Sequence, residues 1–275
     1  MLNEVEKKLK NYLQQSDADQ AAFAVIDFNK HSKEAVFVGD EKYFDLASLT
    51  KPLLNSFNYL KYKLDDKNLE LLLNHRAGLP AWGLLPRVGW QNQLLSYDVR
   101  ESETLYSDYS ALRFSLELAK KGIDSFSIIE EFIDVFFWIQ KSGYIVHDPN
   151  AFNLGKETTH AGLFGSINGL AETLIEMNKK YDFIQKVRDK MQNHDQRFVL
   201  GFDTAQDLTT TLAGQGCSKN TFGHLGFTGT SFWIDADKNI GHILLTNTTK
   251  KYWFNRSLLN PLRKELGSLS WKYID

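Results

Sequence analysis

A serine and a lysine three residues apart could supply a nucleophile and a base from one turn of helix. Ser48 and Lys51 stand in this relation within FDLASLTKP, residues 44–52. Residues three apart share one face of a helix, with Cβ atoms about 5–6 Å apart, so the hydroxyl and the amine can meet. Such a pair is typical of covalent catalysis at a carbonyl carbon. An N-capping serine beside a solvated lysine gives the same pattern, so the pair gains weight only from other segments.

Tyr106 is a second candidate, in LYSDY, residues 105–109, just before a predicted helix. A phenol near a cation ionises more easily than in water and can then carry protons. The alternative is an ordinary aromatic residue at a helix entry, with Ser107 or Asp108 as the helix cap.

A third segment, FGHLGFTGT at residues 222–230, is rich in glycine and leads into a predicted strand. Glycines allow a ligand to lie close against the backbone. An edge strand at this position could pair with an extended substrate and offer a main-chain N–H to a developing oxyanion. A glycine-rich loop with an exposed histidine, His224, has the same composition.

Two histidines and an aspartate, His147, Asp148 and His160, suggest a metal site at first sight. Their spacing does not favour it, because neither histidine has another histidine one or four positions away. We therefore expect a structured loop that borders the cleft, and no metal.

Composition excludes several functional classes. The net charge of −2 provides no basic field for nucleic acid or anionic lipid. One cysteine, Cys217, cannot form an internal disulfide. Apolar runs are too short to span a bilayer, so no membrane span is expected. The charged, amphipathic start lacks the apolar core of a signal peptide, which predicts a cytoplasmic protein unless an export signal was removed before the sequence was defined.

Hydrophobic periodicity predicts strands near both ends of the chain and helices between them. We therefore expect an α+β fold: a mostly antiparallel sheet formed by both chain ends, flanked by helices, with an inserted helical lobe. The 275 residues would form a single domain, with an α/β lobe at about 1–60 and 195–275 and a helical lobe at about 61–194. The predicted strands are 21–27, 34–38, 230–235 and 240–246. The predicted helices are 2–15, 49–62, 69–75, 109–121, 127–140, 167–180, 182–192 and 254–266.

The three segments stand in the order of three motifs that serine β-lactamases and penicillin-binding proteins share. Ser48-Leu49-Thr50-Lys51, Tyr106-Ser107-Asp108 and His224-Leu225-Gly226 resemble these motifs as found in the class C β-lactamase, DD-peptidase and esterase group. Residues 72–80, 160–166 and 241–247 also resemble segments of that group. The resemblance extends from about residue 20 to residue 265 and implies the β-lactamase/transpeptidase-like fold.

The resemblance also implies residue roles. Ser48 would be the acylated nucleophile at a helix N-terminus, and Lys51 would help to deprotonate it. Tyr106 would pass the proton to the leaving group and later activate water. The main-chain N–H groups of Ser48 and Phe227 would form the oxyanion hole. Asp108 would hold the proton network.

On the substrate side, the resemblance implies binding by His224, Leu225, Gly226 and Thr228. His224 replaces a lysine that is common in the group, and Leu225 replaces a threonine. A permanent charge and a hydroxyl are thus missing, so we expect weaker binding of β-lactams or D-Ala-D-Ala ends and a better fit of uncharged esters or amides. Asp108 stands where asparagine is common, and its carboxylate should favour the charged form of Lys51.

The sequence therefore predicts a serine hydrolase that forms an acyl-enzyme on Ser48 and cleaves an ester, an amide or D-peptide bond, or a β-lactam. Its partner would be a small acyl substrate, such as a peptidoglycan-derived peptide or a β-lactam, and no cofactor is needed. The alternative is a penicillin-recognising binding or sensor protein with little or no turnover. The oligomeric state is left open.

Overall fold

The structure, a computed structural model, describes residues 1–192, 196–251 and 256–272. Within these ranges no helix is both long enough and apolar enough to cross a membrane. The predicted lobe boundary at 194/195 and the first two residues of the predicted helix 254–266 lie outside them.

The two ends of the chain build one antiparallel sheet, as predicted. The strands of this sheet are β1 Ala21–Asp27, β2 Ser32–Val38, β6 Phe198–Val199, β7 Phe202–Thr204, β8 Thr221–Leu225, β9 Ser231–Asp235 and β10 Ile240–Thr246. They follow the order β2-β1-β10-β9-β8-β7-β6. Strand β1, from the start of the chain, pairs with β10, from its end, with Ala21 opposite Thr246 and Asp27 opposite Ile240.

Strand β1 is apolar from Ala21 to Ile26 and buried on both faces. Side chains alternate across a strand, so even-numbered residues such as Ala24 face one layer and odd-numbered residues such as Phe23 face the other. Phe23 packs in a cluster with Leu9 and Leu266, which belong to the first and last helices. Ala24 packs in the larger cluster that holds the middle of the chain. The sheet is therefore covered by helices on both faces, which is the α+β arrangement expected.

Helices fill the middle of the chain and cover the sheet. They are α1 Leu2–Gln15, α2 Phe57–Lys61, α3 Lys67–Leu73, α4 Trp90–Leu95, α5 Asp108–Lys120, α6 Pro149–Leu154, α7 Ile167–Tyr181, α8 Phe183–Met191 and α9 Arg256–Trp271. The predicted helix 49–62 is irregular: a 3₁₀ turn at Ala47–Leu49 and a π-helical turn at Pro52–Ser56 precede α2. The predicted helix 254–266 extends further than expected, to Trp271.

The prediction of a helix over 127–140 was wrong. Residues 127–131 form a 3₁₀ turn, and β4 Val135–Phe137 then pairs with β5 Leu163–Gly165. Asp134, with φ of 51°, interrupts helical geometry between them. The β-branched and aromatic residues that follow favour a strand. β3 Phe44–Asp45 completes this second, three-stranded sheet, so the inserted region is not purely helical.

This second sheet positions the candidate nucleophile. Strand β3 ends at Asp45, and the 3₁₀ turn that carries Ser48 begins two residues later. Helix α5 begins at Asp108, directly after Tyr106 and the capping residue Ser107. Strand β8 ends at Leu225. The three sequence motifs thus lie at the ends of elements from both sheets and from a helix.

Candidate active site

Ser48 lies at the start of a helical segment, as the resemblance implied. Lys51 Nζ donates a hydrogen bond to Ser48 Oγ at 3.0 Å. The residue before the serine, Ala47, has φ of 47°, in the left-handed region that non-glycine residues rarely adopt. Asp45 Oδ1 accepts the Ala47 N–H at 2.8 Å and holds this turn. The serine is therefore presented on a constrained turn with an amine already at its hydroxyl.

Lys51 is buried and surrounded by oxygen atoms. Its Nζ lies 2.8 Å from Asp108 Oδ1 and donates to the main-chain oxygen of His160 at 3.0 Å. Burial alone would lower the pKa of Lys51, but the Asp108 carboxylate and Tyr106 together raise it above its ordinary value. The lysine consequently rests as an ammonium, as the presence of an aspartate at position 108 predicted.

Tyr106 is placed against both members of this pair. Its ring lies 5.1 Å from Lys51 Nζ, and its hydroxyl interacts with Ser48 and with Lys51. His75 packs 4.6 Å from the tyrosine ring and accepts the Ser107 N–H at its Nδ1. Burial raises the pKa of Tyr106, and this effect outweighs the nearby ammonium, which lowers it. The phenol is therefore protonated at rest, so an ionised tyrosine is not the resting base.

His224, at the end of β8, lies 5.9 Å from the Tyr106 ring, centre to centre. Its Nδ1 lies 2.9 Å from the Leu225 carbonyl oxygen, which can only accept, so Nδ1 carries the proton. Burial and, less strongly, Lys51 lower the pKa of His224 to about 3. The imidazole is thus uncharged, and no cation replaces the lysine that is common at this position.

A cavity of about 360 Å³ joins these segments. It is lined by Ser48, Tyr106, His224, Leu225, Gly226 and Phe227, and also by residues of β7 and α9. A larger depression, of about 580 Å³ between α1 and α9, is lined by other residues, so volume alone does not identify the site. The predicted oxyanion residues Ser48 and Phe227 face one cavity.

The loop after β8 has no room for larger side chains. A Cβ at Gly226 would lie 1.9 Å from Thr230 Oγ1, so glycine is required there. Thr228 differs from the expectation: its side chain is buried, and its hydroxyl donates to the Asp45 carbonyl oxygen at 2.6 Å. The Thr228 hydroxyl thus braces the strand before Ser48 and does not face a substrate.

Sequence reasoning missed three arginines of the cavity wall. Arg197 forms a bidentate pair with Asp203, at 3.0 Å for both contacts. Arg263 is buried and donates to the carbonyl oxygens of Gly226 and Thr230. Arg256 also lines the cavity and lies about two helical turns before Arg263 on α9. These arginines belong to no motif with a recognisable spacing, so the sequence gave no signal for them.

Two of the three side chains considered for a metal, Asp148 and His160, converge with Asp108, whereas His147 is not part of this cluster. Ligand atoms of Asp108, Asp148 and His160 lie within 4.8 Å of one another. The Lys51 ammonium, at 2.8 Å from Asp108, already supplies a cation there. The arrangement fits a buried ion-pair network behind the cavity. Asp148 and His160 do not line that cavity, so the expected loop at its border is not found at these residues.

One curated protein is similar in sequence to part of this chain. No family model matches the chain. An N-acetylmuramyl-L-alanine amidase from Bacillus subtilis is 34% identical over 113 residues, which is 37% of this chain and 26% of that protein. The chain thus matches about a quarter of the length of this curated relative.

Solved structures resemble the whole chain. A β-lactamase from Mycobacterium bovis has a TM-score of 0.62 at 18% identity, over 94% of this chain and 96% of the other. SurE with D-Leu has a TM-score of 0.68 at 15% identity, over 96% and 74%. Unliganded simvastatin synthase (LovD) from Aspergillus terreus has a TM-score of 0.68 at 13% identity, over 100% and 99%. At these identities the likeness concerns the fold, and it confirms the predicted β-lactamase-like architecture.

Proposed function

We propose that this chain, which has the fold of the serine β-lactamase and penicillin-binding protein superfamily, is a serine hydrolase that forms an acyl-enzyme on Ser48. The observation that carries the proposal is that Ser48 and Tyr106 line one cavity and that the buried Lys51 contacts both of them. An alcohol in contact with an ammonium and a phenol can act as a nucleophile, because a neighbouring group can accept its proton.

The resting protonation states define that route. Lys51 is charged and Tyr106 is protonated, so neither is a free base at rest. In the proposed acylation, Ser48 Oγ forms a bond to the substrate carbonyl carbon and passes its proton to the Tyr106 oxygen. Tyr106 at the same time gives its own proton to the leaving group, whose bond to the carbonyl carbon breaks. The Lys51 ammonium stabilises the negative charge that develops on the two oxygens.

Deacylation follows the same route in reverse. Water takes the position of the leaving group, gives a proton to Tyr106 and forms a bond to the acyl carbon. The bond between that carbon and Ser48 Oγ breaks, and Tyr106 returns a proton to Ser48. The main-chain N–H groups of Ser48 and Phe227 are the proposed oxyanion donors, and each such donor is typically worth about 3 kcal/mol. The mechanism uses no metal or organic cofactor.

We propose an amide as the bond that is cleaved, of the kind named for the Bacillus relative: an N-acetylmuramyl group joined to L-alanine. The neutral His224 supports this choice, because the position that would attract a substrate carboxylate carries no positive charge. An uncharged amide suits this position better than the carboxylate of a β-lactam. Esters and D-peptides remain substrates to compare with it.

Intact-protein mass spectrometry tests the proposal. The wild type is incubated with N-acetylmuramyl-L-alanine amide, in which the alanine carboxyl group is blocked, and with p-nitrophenyl acetate, a D-Ala-D-Ala peptide and nitrocefin. Products and protein mass are followed. We expect turnover and a transient acyl mass on the wild type, and neither on Ser48→Ala. Ser56→Ala is the matched control, since Ser56 is a buried serine further along the same helical segment.

The outcomes separate the two functional classes. Turnover that survives Ser48→Ala would refute the acyl-enzyme. Stable labelling by a fluorescent penicillin without turnover of any substrate would instead support the binding or sensor protein. Turnover of nitrocefin in preference to the amide would refute the choice of bond while leaving the nucleophile in place.

A further inference from the structure

Two adjacent residues on one loop connect to both ends of the Ser48–Lys51 turn. The first is His147, whose main-chain N–H donates to Asp45 Oδ2 at 2.8 Å. The other oxygen of Asp45 accepts the Ala47 N–H at 2.8 Å. The Asp45 carboxylate therefore connects the turn before the nucleophile to the loop that carries His147.

The second residue is Asp148, whose Oδ1 lies 2.7 Å from His160 Nε2. His160 is fully buried, and its main-chain oxygen accepts the hydrogen bond from Lys51 at 3.0 Å. Asp148 also caps α6, because its side chain accepts the Ala151 N–H. The Asp148–His160 pair thus fixes the carbonyl against which the catalytic ammonium rests.

We propose that Asp45 and the Asp148–His160 pair are positioning residues, joined at His147–Asp148, that set Ser48 and Lys51 in their reactive geometry. The inference rests on the proposed function. Neither group lines the cavity, so each acts through another residue.

Backbone geometry explains why the nucleophile needs such a tie. Ala47 adopts a left-handed φ of 47°, which persists only where surrounding contacts hold it. Its N–H bond to Asp45 supplies one contact. Thr228 supplies another on the same residue, because its hydroxyl donates to the Asp45 main-chain oxygen. Asp45 is therefore the residue at which the nucleophile turn, the 147–148 loop and the loop after β8 meet.

The same reasoning explains the position of Lys51. A lysine side chain has several rotatable bonds, so an ammonium stays in one place only where several acceptors define it. Besides Ser48 Oγ, the Asp108 carboxylate on α5 provides one acceptor, and the main-chain oxygen of His160 provides another from a loop. The Asp148 contact then restrains the loop that presents the His160 carbonyl.

The test compares two variants with two matched controls. Asp148→Asn removes the charge that faces His160 but retains a good helix cap. Asp45→Asn replaces one of the two carboxylate oxygens that accept the Ala47 and His147 N–H groups. Asp66→Asn is the control for the first, because Asp66 caps α3 in the same way. Asp235→Asn is the control for the second, because Asp235 is a buried carboxylate that accepts main-chain N–H groups at the far end of β9.

Two measurements are made on each folded protein: the acylation rate constant per titrated active site with a chromogenic ester, and a crystal structure. A misplacement of about 1 Å can cost about 100-fold in rate, so we expect the two site variants to lose about 10–100-fold in the rate constant. KM should change by less than about twofold. The crystal structures should show Lys51 Nζ or Ser48 Oγ displaced. Both controls should keep the wild-type rate constant.

Wild-type rate constants in both site variants, with Ser48 and Lys51 unmoved, would overturn the inference. A wild-type rate lost on dialysis against EDTA and restored by zinc would also overturn it, since the Asp148–His160 pair would then serve a metal. If the wild type is not acylated at all, the proposed function fails, and the variant crystal structures still decide the positioning of the two side chains.

Discussion

Replacing Asp108 by asparagine should reveal which form of Lys51 takes part in acylation. The carboxylate lies 2.8 Å from the ammonium, in a buried site. Burial lowers the pKa of Lys51, and Asp108 is the first of the groups that raise it above the ordinary value of 10.5. Removing the charge leaves burial as the main effect, so the pKa of Lys51 should fall.

The size of the fall follows from the distance. Two unit charges 2.8 Å apart attract by about 6 kcal/mol at an effective dielectric constant of about 20. One pKa unit corresponds to about 1.4 kcal/mol, so complete loss of this attraction would lower the pKa by about four units. The asparagine oxygen still accepts a hydrogen bond, and opposite charges commonly shift a pKa by about 1–3 units. We expect a fall of about two units or more.

Stopped-flow acylation by p-nitrophenyl acetate, from pH 6 to 10.5, measures the effect. If charged Lys51 stabilises the developing negative charge, the wild-type rate constant stays level to about pH 10. In Asp108→Asn it then falls with rising pH, with a midpoint about two units below that of the wild type. Asp66→Asn is the control, because Asp66 also stands at a helix start and pairs with a lysine, Lys121, at 2.9 Å.

The sign of the pH dependence decides between two mechanisms. A rate constant that rises with pH in Asp108→Asn would mean that neutral Lys51 removes the proton from Ser48. That result would refute the Tyr106 relay. An unchanged profile would refute the assignment of Asp108 as the charge that keeps Lys51 protonated.

Three other substitutions test the fold around the site. Phe183→Ala removes a fully buried ring and should lower the free energy of unfolding in urea by about 3–5 kcal/mol. Ser107→Ala removes the α5 cap, which accepts the Ser110 N–H at 2.9 Å, and should cost about 1 kcal/mol in the same assay. Burial raises the pKa of Glu131, but bonds led by Lys61 lower it to about 2, below the ordinary 4.5. The stability this provides is present above pH 4.5 and lost as pH falls towards 2. In Glu131→Gln the free energy of unfolding, measured in urea at several pH values, should therefore change less over that window than in the wild type.

The parts of the fold that could be predicted have a strong local pattern. The strands at 21–27 and 240–246 were found at the predicted positions, because apolar-rich runs between turn residues favour buried strands. The predicted helix at 127–140 was wrong, because its three-residue strand is stabilised by pairing with β5, which is distant in sequence. The second sheet as a whole was missed for the same reason.

In the candidate site, too, contacts between residues near in sequence could be predicted and contacts between distant residues could not. The Ser48–Lys51 contact follows from helical spacing, and the structure has it at 3.0 Å. The Asp45 contacts could not be predicted, since they join the nucleophile turn to a loop about 100 residues later. Thr228 illustrates the opposite error: resemblance suggested a substrate contact, whereas the fold uses its hydroxyl to brace Asp45.

Of the site residues, His224 bears most directly on the proposed substrate, because of its charge state. Its residue type alone permits a cation, which could replace the lysine of the resembling group. Burial, and less strongly Lys51, lower the pKa of His224 enough to make it neutral, although its bond to the Leu225 carbonyl oxygen acts in the other direction. That bond places the proton on Nδ1. Nε2 then carries a lone pair, which can accept a hydrogen bond and cannot attract a carboxylate. The change from lysine to a buried, uncharged histidine thus supports the proposed choice of an amide over an anion.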